Sequence, residues 1–299
     1  MCLDRESEGS GLGRRDFLIG GAAAFAGLGA LGAEGAAQKK EQPPTRVLDG
    51  PDIQHGKVTF KHAGKETFDG FLARPKADGT FPAVLVIAGN RISEEYIPNT
   101  CAALALAGFV GLAPNTFHPL PDNAKTGEDY EKALKEHTKY DVLQDIQVAA
   151  DYLKTQPFVK VRRGSEMRDS SQPAWARGMG ILGFCFGGRM AMLFAARSRE
   201  IDAVVAFHPG LVMTDREIIA HLQVPVQLHQ GTADRSVDAT TAKMLQEILQ
   251  AQKTPVELFL YEGADHGFLA YTRPFYRPDY AKLAWKRTTE FLAKHLKEK

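Results

Sequence analysis

The chain has 299 residues, 44% of them apolar and 24% charged, with 37 Lys and Arg against 36 Asp and Glu. That is the composition of an ordinary globular protein, and a net charge of +1 gives no electrostatic reason to expect nucleic acid or an anionic membrane surface as partner. Three Cys are too few for a disulfide framework, and no apolar run beyond the N-terminal segment is long enough to span a bilayer.

Residues 1–37 read as an export signal. Gly13-Arg14-Arg15-Asp16-Phe17-Leu18-Ile19 resembles the twin-arginine motif, and an uncharged Gly/Ala/Leu-rich run from Gly20 to Ala33 follows it. Small residues around Ala33 to Ala37 suit a peptidase cut. The expected location is periplasmic or secreted, by the twin-arginine pathway, with no membrane contact in the mature form. Residues 38–56 are polar, hold Pro43 and Pro44, and read as a flexible lead-in. Without the leader about 260 residues remain, enough for one large α/β domain, whose folded part is expected over 57–299.

The domain opens on a probable hairpin. Val58 to His62 and Thr67 to Leu72 alternate apolar and polar residues around Ala63-Gly64-Lys65. Pro82 to Ala88 is continuously apolar, as a central strand covered on both faces must be. A helix is expected over 94–107, stopped by Gly108, and a strand over 109–114. Residues 115–138 form a polar excursion, 139–156 an amphipathic helix, and 161–177 a surface loop. Further strands are expected up to Gly183, over 203–207, 225–229 and 256–261, with helices over 189–199, 237–252 and 279–297. Strands alternating with helices imply a doubly wound, mostly parallel sheet with helices on both faces, which holds ligands at the carboxyl ends of its strands.

The most informative stretch is Gly183-Phe184-Cys185-Phe186-Gly187-Gly188. An apolar strand runs into a sharp turn with a thiol at its tip, and a helix follows. The pattern Gly-x-Cys-x-Gly is a nucleophile elbow of the α/β-hydrolase kind with Cys in place of Ser. Small residues two before and two after the nucleophile allow the turn. The helix dipole favours thiolate over thiol, and the Phe186 N–H would face a developing oxyanion. The elbow alone is also compatible with a buried structural Cys. Cys101, in an apolar helix, reads as core.

A Cys nucleophile needs a base, and the base an orienting acid. The chain supplies both in hydrolase order. Asp234 follows a strand in Leu228-His229-Gln230-Gly231-Thr232-Ala233-Asp234, and His266 follows the last strand in Asp265-His266-Gly267-Phe268. All three therefore emerge at one edge of the sheet. Asp238 competes with Asp234 but fits a helix start. His229 competes with His266 but lies within a strand, and His208, at a strand end, fits a pocket wall.

With these residues in view, the chain resembles the dienelactone hydrolases (carboxymethylenebutenolidases) over roughly residues 57–297. The resemblance rests on residues 183–188, Gly-Thr-Ala-Asp at 231–234, Asp-His-Gly-Phe at 265–268, Gly108-Phe109-Val110, and Ala284-Trp285-Lys286-Arg287-Thr288. It implies an α/β-hydrolase fold, a Cys185, Asp234, His266 triad and hydrolysis of a small ester or lactone. The oxyanion would rest on the N–H groups of Phe186 and Asn90. Two departures bear on substrate. The family has a Glu after the strand that ends at Ala88, where this chain has Gly89, with Glu94 and Glu95 farther on. The family's carboxylate-binding Arg aligns with Ala270, leaving Arg273, Arg91 and His208 as candidates for substrate contact. The competing reading is a small-molecule binding protein that keeps the fold without the chemistry. No metal-ligand cluster or phosphate-cradling loop stands out, so no metal or cofactor is expected, and nothing in the chain fixes an oligomeric state.

Overall fold

The computed structural model describes residues 46–61, 67–89, 95–118, 139–160, 178–211 and 215–297. The export signal, the turn at 63–65, Asn90, Arg91, Glu94, most of the 115–138 excursion and the 161–177 loop lie outside the described residues.

Eight strands make one sheet: β1 (Ile53–Lys61), β2 (Thr67–Pro75), β3 (Ala83–Ile87), β4 (Val110–Pro114), β5 (Met179–Phe184), β6 (Ile201–Phe207), β7 (Val226–Gly231) and β8 (Val256–Tyr261). Their spatial order is β1-β2-β4-β3-β5-β6-β7-β8. The β1–β2 and β2–β4 pairs are antiparallel and all the others parallel. The expected hairpin is the antiparallel edge of an otherwise parallel sheet.

The helices are α1 (Tyr96–Leu106), α2 (Lys139–Thr155), α3 (Phe186–Arg197), α4 (Arg216–Ile219), α5 (Ala239–Ala251) and α6 (Pro278–Leu296). They cover both faces. Leu85 and Ile87 of β3 point to the cluster that holds Ile146 of α2, Met190 of α3 and Leu245 of α5. Val84 and Val86 point the other way, to Ile97 and Cys101 of α1 and Leu292 of α6. This alternation is why β3 is continuously apolar, and each large aliphatic side chain so buried contributes roughly 1.5–3 kcal/mol.

Three expectations shift. The first strand begins at Ile53, ahead of the expected start at 57, because β1 pairs with β2 as far back as Ile53 with Pro75. Residues before it also dock on the domain: the Val47 N–H donates to Asn99 Oδ1 at 2.7 Å. The helix after the elbow starts at Phe186 rather than 189, so Gly187 and Gly188 lie inside its first turn. The short α4 is additional. Among the described residues no helix is long and apolar enough to cross a membrane.

Candidate active site

β5 ends at Phe184, and Cys185 turns the chain into α3 with φ +52° and ψ −117°, a conformation that L-residues rarely adopt. Both ends of this strained residue are held. Its N–H donates to Phe207 O at 2.9 Å, and its carbonyl accepts from the Arg189 N–H at 3.1 Å. Only glycine permits the closure. A Cβ on Gly183 would stand 2.2 Å from Gly187 O, and one on Gly187 would stand 2.2 Å from Ile87 O. The small residues flanking the elbow are therefore a steric requirement, as the pattern suggested. Phe186 opens the helix, where geometry supplies its N–H with no intrahelical acceptor. Cys185 is half-buried and free, whereas Cys101 is free and fully buried in the core.

Asp234 follows β7 with its side chain out of solvent. Oδ1 accepts from the N–H groups of Ser236 and Val237, each at 2.8 Å. Oδ2 accepts from Gln230 Nε2 at 3.1 Å and from His266 Nδ1 at 2.9 Å. Burial alone would raise this carboxyl, but the hydrogen bond from His266 and the charge on that imidazole hold it below its ordinary value. Asp238 is the N-cap of α5, accepting from the Thr240 N–H at 2.7 Å, and Asp265 is spent on the His266 N–H at 2.7 Å.

His266 lies after β8 with Nδ1 committed to Asp234, which leaves Nε2 free to face the Cys185 side of the site. Burial opposes a charge on this imidazole. The hydrogen bond to Asp234 and the nearby sulfur outweigh it, and the group is pushed up to about 10. His229 is fully buried and has neither ring nitrogen to spare. Gln227 donates through Nε2 to Glu257, so its Oε1 accepts from His229 Nε2 at 2.8 Å, and the Tyr261 hydroxyl donates to Nδ1 at 2.7 Å. That pairing removes it as a rival base.

His208 stands just past β6 with φ +39° and 3% exposure. Its ring centroid is 4.1 Å from that of His266. Both its ring nitrogens are buried without a hydrogen-bond partner among the described residues. Burial, then the charge on His266, holds it well below its ordinary value, so it is a neutral imidazole. The Cys185 sulfur, one ring nitrogen of His208 and one of His266 all lie within 4.8 Å of one another. The sequence suggested no metal-ligand cluster. No linear spacing signals this group, because positions 185, 208 and 266 come from three separate loops that converge only on folding.

Gly89 is against the elbow rather than away from it, and Glu95 does not take the place of the family's Glu. Its Oε1 accepts from Arg46 at 2.7 Å and from the Tyr271 hydroxyl at 3.0 Å. Nearby, Phe117 packs on Phe186 with centroids 5.6 Å apart. His118 instead stacks on Phe68 and pairs with Asp145 at 3.3 Å, and Phe275 is exposed. Arg273 is half-buried in the turn beyond His266, its N–H donating to Ala270 O at 2.8 Å. Gln230, which braces Asp234, escaped the sequence reading. Its only signal is a polar side chain near the end of a wholly buried strand.

A strained strand-to-helix turn at the end of a central strand, on a mostly parallel eight-stranded sheet with helices on both faces, defines an α/β-hydrolase fold. The model of the dienelactone hydrolase family matches residues 68–296, and the chain belongs to that family. It is 30% identical over 236 residues to a probable 2-oxo-3-(5-oxofuran-2-ylidene)propanoate lactonase of Bradyrhizobium sp., covering 76% of this chain and 89% of that protein. It is also 30% identical over 234 residues to a Salmonella typhimurium protein provisionally named a carboxymethylenebutenolidase, covering 75% and 82%. A solved structure from Klebsiella pneumoniae subsp. pneumoniae, provisionally assigned as a dienelactone hydrolase, has a TM-score of 0.68 at 26% identity, over 81% of this chain and 99% of that one. The chain is a dienelactone hydrolase-like hydrolase.

Proposed function

We propose that the protein hydrolyses a small ester or lactone through Cys185, His266 and Asp234. The observation that carries this reading is one imidazole set between two groups: Asp234 at 2.9 Å on Nδ1, and the Cys185 sulfur within 4.8 Å of a ring nitrogen. His266 keeps its proton to about 10, which places an imidazolium beside the sulfur at neutral pH.

In the first half-reaction the sulfur attacks the acyl carbon and a C–S bond forms. The oxyanion rests on the Phe186 N–H, with Asn90 as the second donor carried over from the family pattern. His266 gives its proton to the leaving alkoxide as the C–O bond breaks; in a lactone that alcohol stays tethered. In the second half-reaction His266 takes a proton from water, the resulting hydroxide attacks the thioester, and the C–S bond breaks to release the acid. Asp234 holds the ring so that Nε2 faces the chemistry. His208, Arg91 and Arg273 are the candidates for contact with the substrate, the two Arg for a carboxylate by paired N–H bonds.

The test is turnover of an aryl ester by the wild type and by Cys185→Ala. Loss of turnover in a variant that keeps its circular dichroism supports the reading, and retained turnover removes it. Export belongs to the same proposal. Replacing Arg14 and Arg15 by Lys is expected to keep the protein out of the periplasmic fraction.

A further inference from the structure

We infer that Cys185, His208 and His266 form a binding site for one thiophilic divalent cation of the zinc class, and that its occupancy blocks acyl transfer. The inhibitory consequence, though not the binding, rests on the cysteine mechanism proposed above.

The donor set is one sulfur and two imidazole nitrogens, mutually within 4.8 Å. Zinc holds such donors at about 2.0–2.3 Å in a tetrahedron, with three protein ligands and one open position in exchangeable sites. The corresponding donor–donor separations are roughly 3.3–3.7 Å, so the three side chains close by at most about 1.5 Å around an ion. Sulfur and imidazole select zinc, cobalt and their neighbours over magnesium or calcium, which prefer oxygen.

Two further observations point to a ligand. His208 is 3% exposed, yet neither of its ring nitrogens has a hydrogen-bond partner among the described residues. A buried polar group left so is costly, and a cation between it and Cys185 would satisfy one nitrogen. Its position is enforced: the backbone is in the left-handed region at φ +39°, and its N–H is tied to His229 O at 2.8 Å. His266 is already braced for coordination. Asp234 accepts from Nδ1 at 2.9 Å, which fixes the ring and turns Nε2 inward, the outer-shell arrangement that metal-ligating histidines use. A sulfur whose lone pair is engaged by a cation cannot attack an acyl carbon.

The experiment is a titration of the chelator-treated protein with Co²⁺, a spectroscopic stand-in for Zn²⁺, followed by displacement with Zn²⁺ and parallel calorimetry. The expected result is one equivalent bound with thiolate-to-cobalt charge-transfer absorption in the near ultraviolet, no response to Mg²⁺, and no such band in Cys185→Ser. His208→Asn and His208→Phe are both expected to weaken Zn²⁺ binding by at least about tenfold. Unchanged circular dichroism shows that they fold, and if one does not, the other carries the comparison. Absence of the charge-transfer band in wild type overturns the inference, as does Zn²⁺ binding in a folded His208 variant as tight as in wild type. Ester turnover by the metal-free protein is measured on the same sample. Turnover without a cobalt band sinks the metal site and leaves the hydrolase reading; a cobalt band without turnover of any ester does the reverse.

Discussion

Gly89 abuts Cys185: a Cβ added at residue 89 would stand 3.2 Å from Cys185 Cβ and 2.8 Å from Phe184 O. The chain after β3 therefore packs directly on the Cys185 turn, and the backbone leaves no room there for a larger side chain. Gly89→Ala is expected to displace the strained Cys185 and cut kcat at least about tenfold, since small misplacements of a nucleophile are costly. Gly89→Glu is expected to be worse, not restorative. A faster Gly89→Glu enzyme would show that the turn tolerates the bulk and that the clash has been misread.

Asp234 and Asp238 lie four residues apart and do different work. Asp234→Asn replaces the acceptor that fixes the His266 tautomer, and kcat is expected to fall by roughly two to four orders of magnitude with the fold intact. Asp238→Ala removes only the cap bond to the Thr240 N–H, so turnover is expected to stay and the melting temperature to drop slightly. Steady-state kinetics and thermal melts on the two variants separate the roles, and equal losses of activity would erase the distinction.

Gln230 is a positioning residue. Its Nε2 reaches Asp234 Oδ2 at 3.1 Å and Val237 O at 2.9 Å, tying the acid to its own loop. Gln230→Leu is expected to lower kcat by roughly tenfold with KM little changed, because it touches the acid and not the substrate. A change confined to KM would place Gln230 in substrate binding instead.

His229 gives a stability prediction. Burial, reinforced by the nearby Arg287 cation, holds it down to about 3, against 6.5 for an unperturbed histidine. Facing it are Tyr261 from β8, Gln227 on its own strand, and Arg287 and Thr288 from α6. Between these two values the unfolded chain binds a proton that the folded chain does not. Stability is therefore full above about pH 6.5 and is lost as pH falls toward 3, by up to about 1.4 kcal/mol per unit from this group. Denaturant unfolding at pH 7, 6 and 5 is expected to show a shallower decline in His229→Gln than in wild type. Parallel declines would mean that His229 carries no such linkage.

The architecture was legible because its signals are local. The apolar run at 83–87 can only be a doubly covered strand, and the glycines at 183 and 187 fit only a turn that brings backbone to backbone. The order Cys185, Asp234, His266 placed three side chains at one sheet edge, and the structure brings them together. What escaped depends on packing at a distance. Gly89 reads as a loss until its contact with Cys185 is seen. Glu95 reads as a spare carboxylate until Arg46 and Tyr271, 49 and 176 residues away in sequence, are found on it. The unpartnered nitrogens of His208 belong to a burial that no linear pattern records.

A thioester on Cys185 is the chemical species that the account requires. Wild-type protein mixed with an activated ester and quenched in acid within the first turnovers should carry the acyl mass on the peptide containing Cys185. The adduct should be stripped from wild-type digests by neutral hydroxylamine, which cleaves thioesters, and should be absent in Cys185→Ala. Ester hydrolysis at the wild-type rate with no acyl mass on that peptide, or with the mass on another side chain, would contradict it.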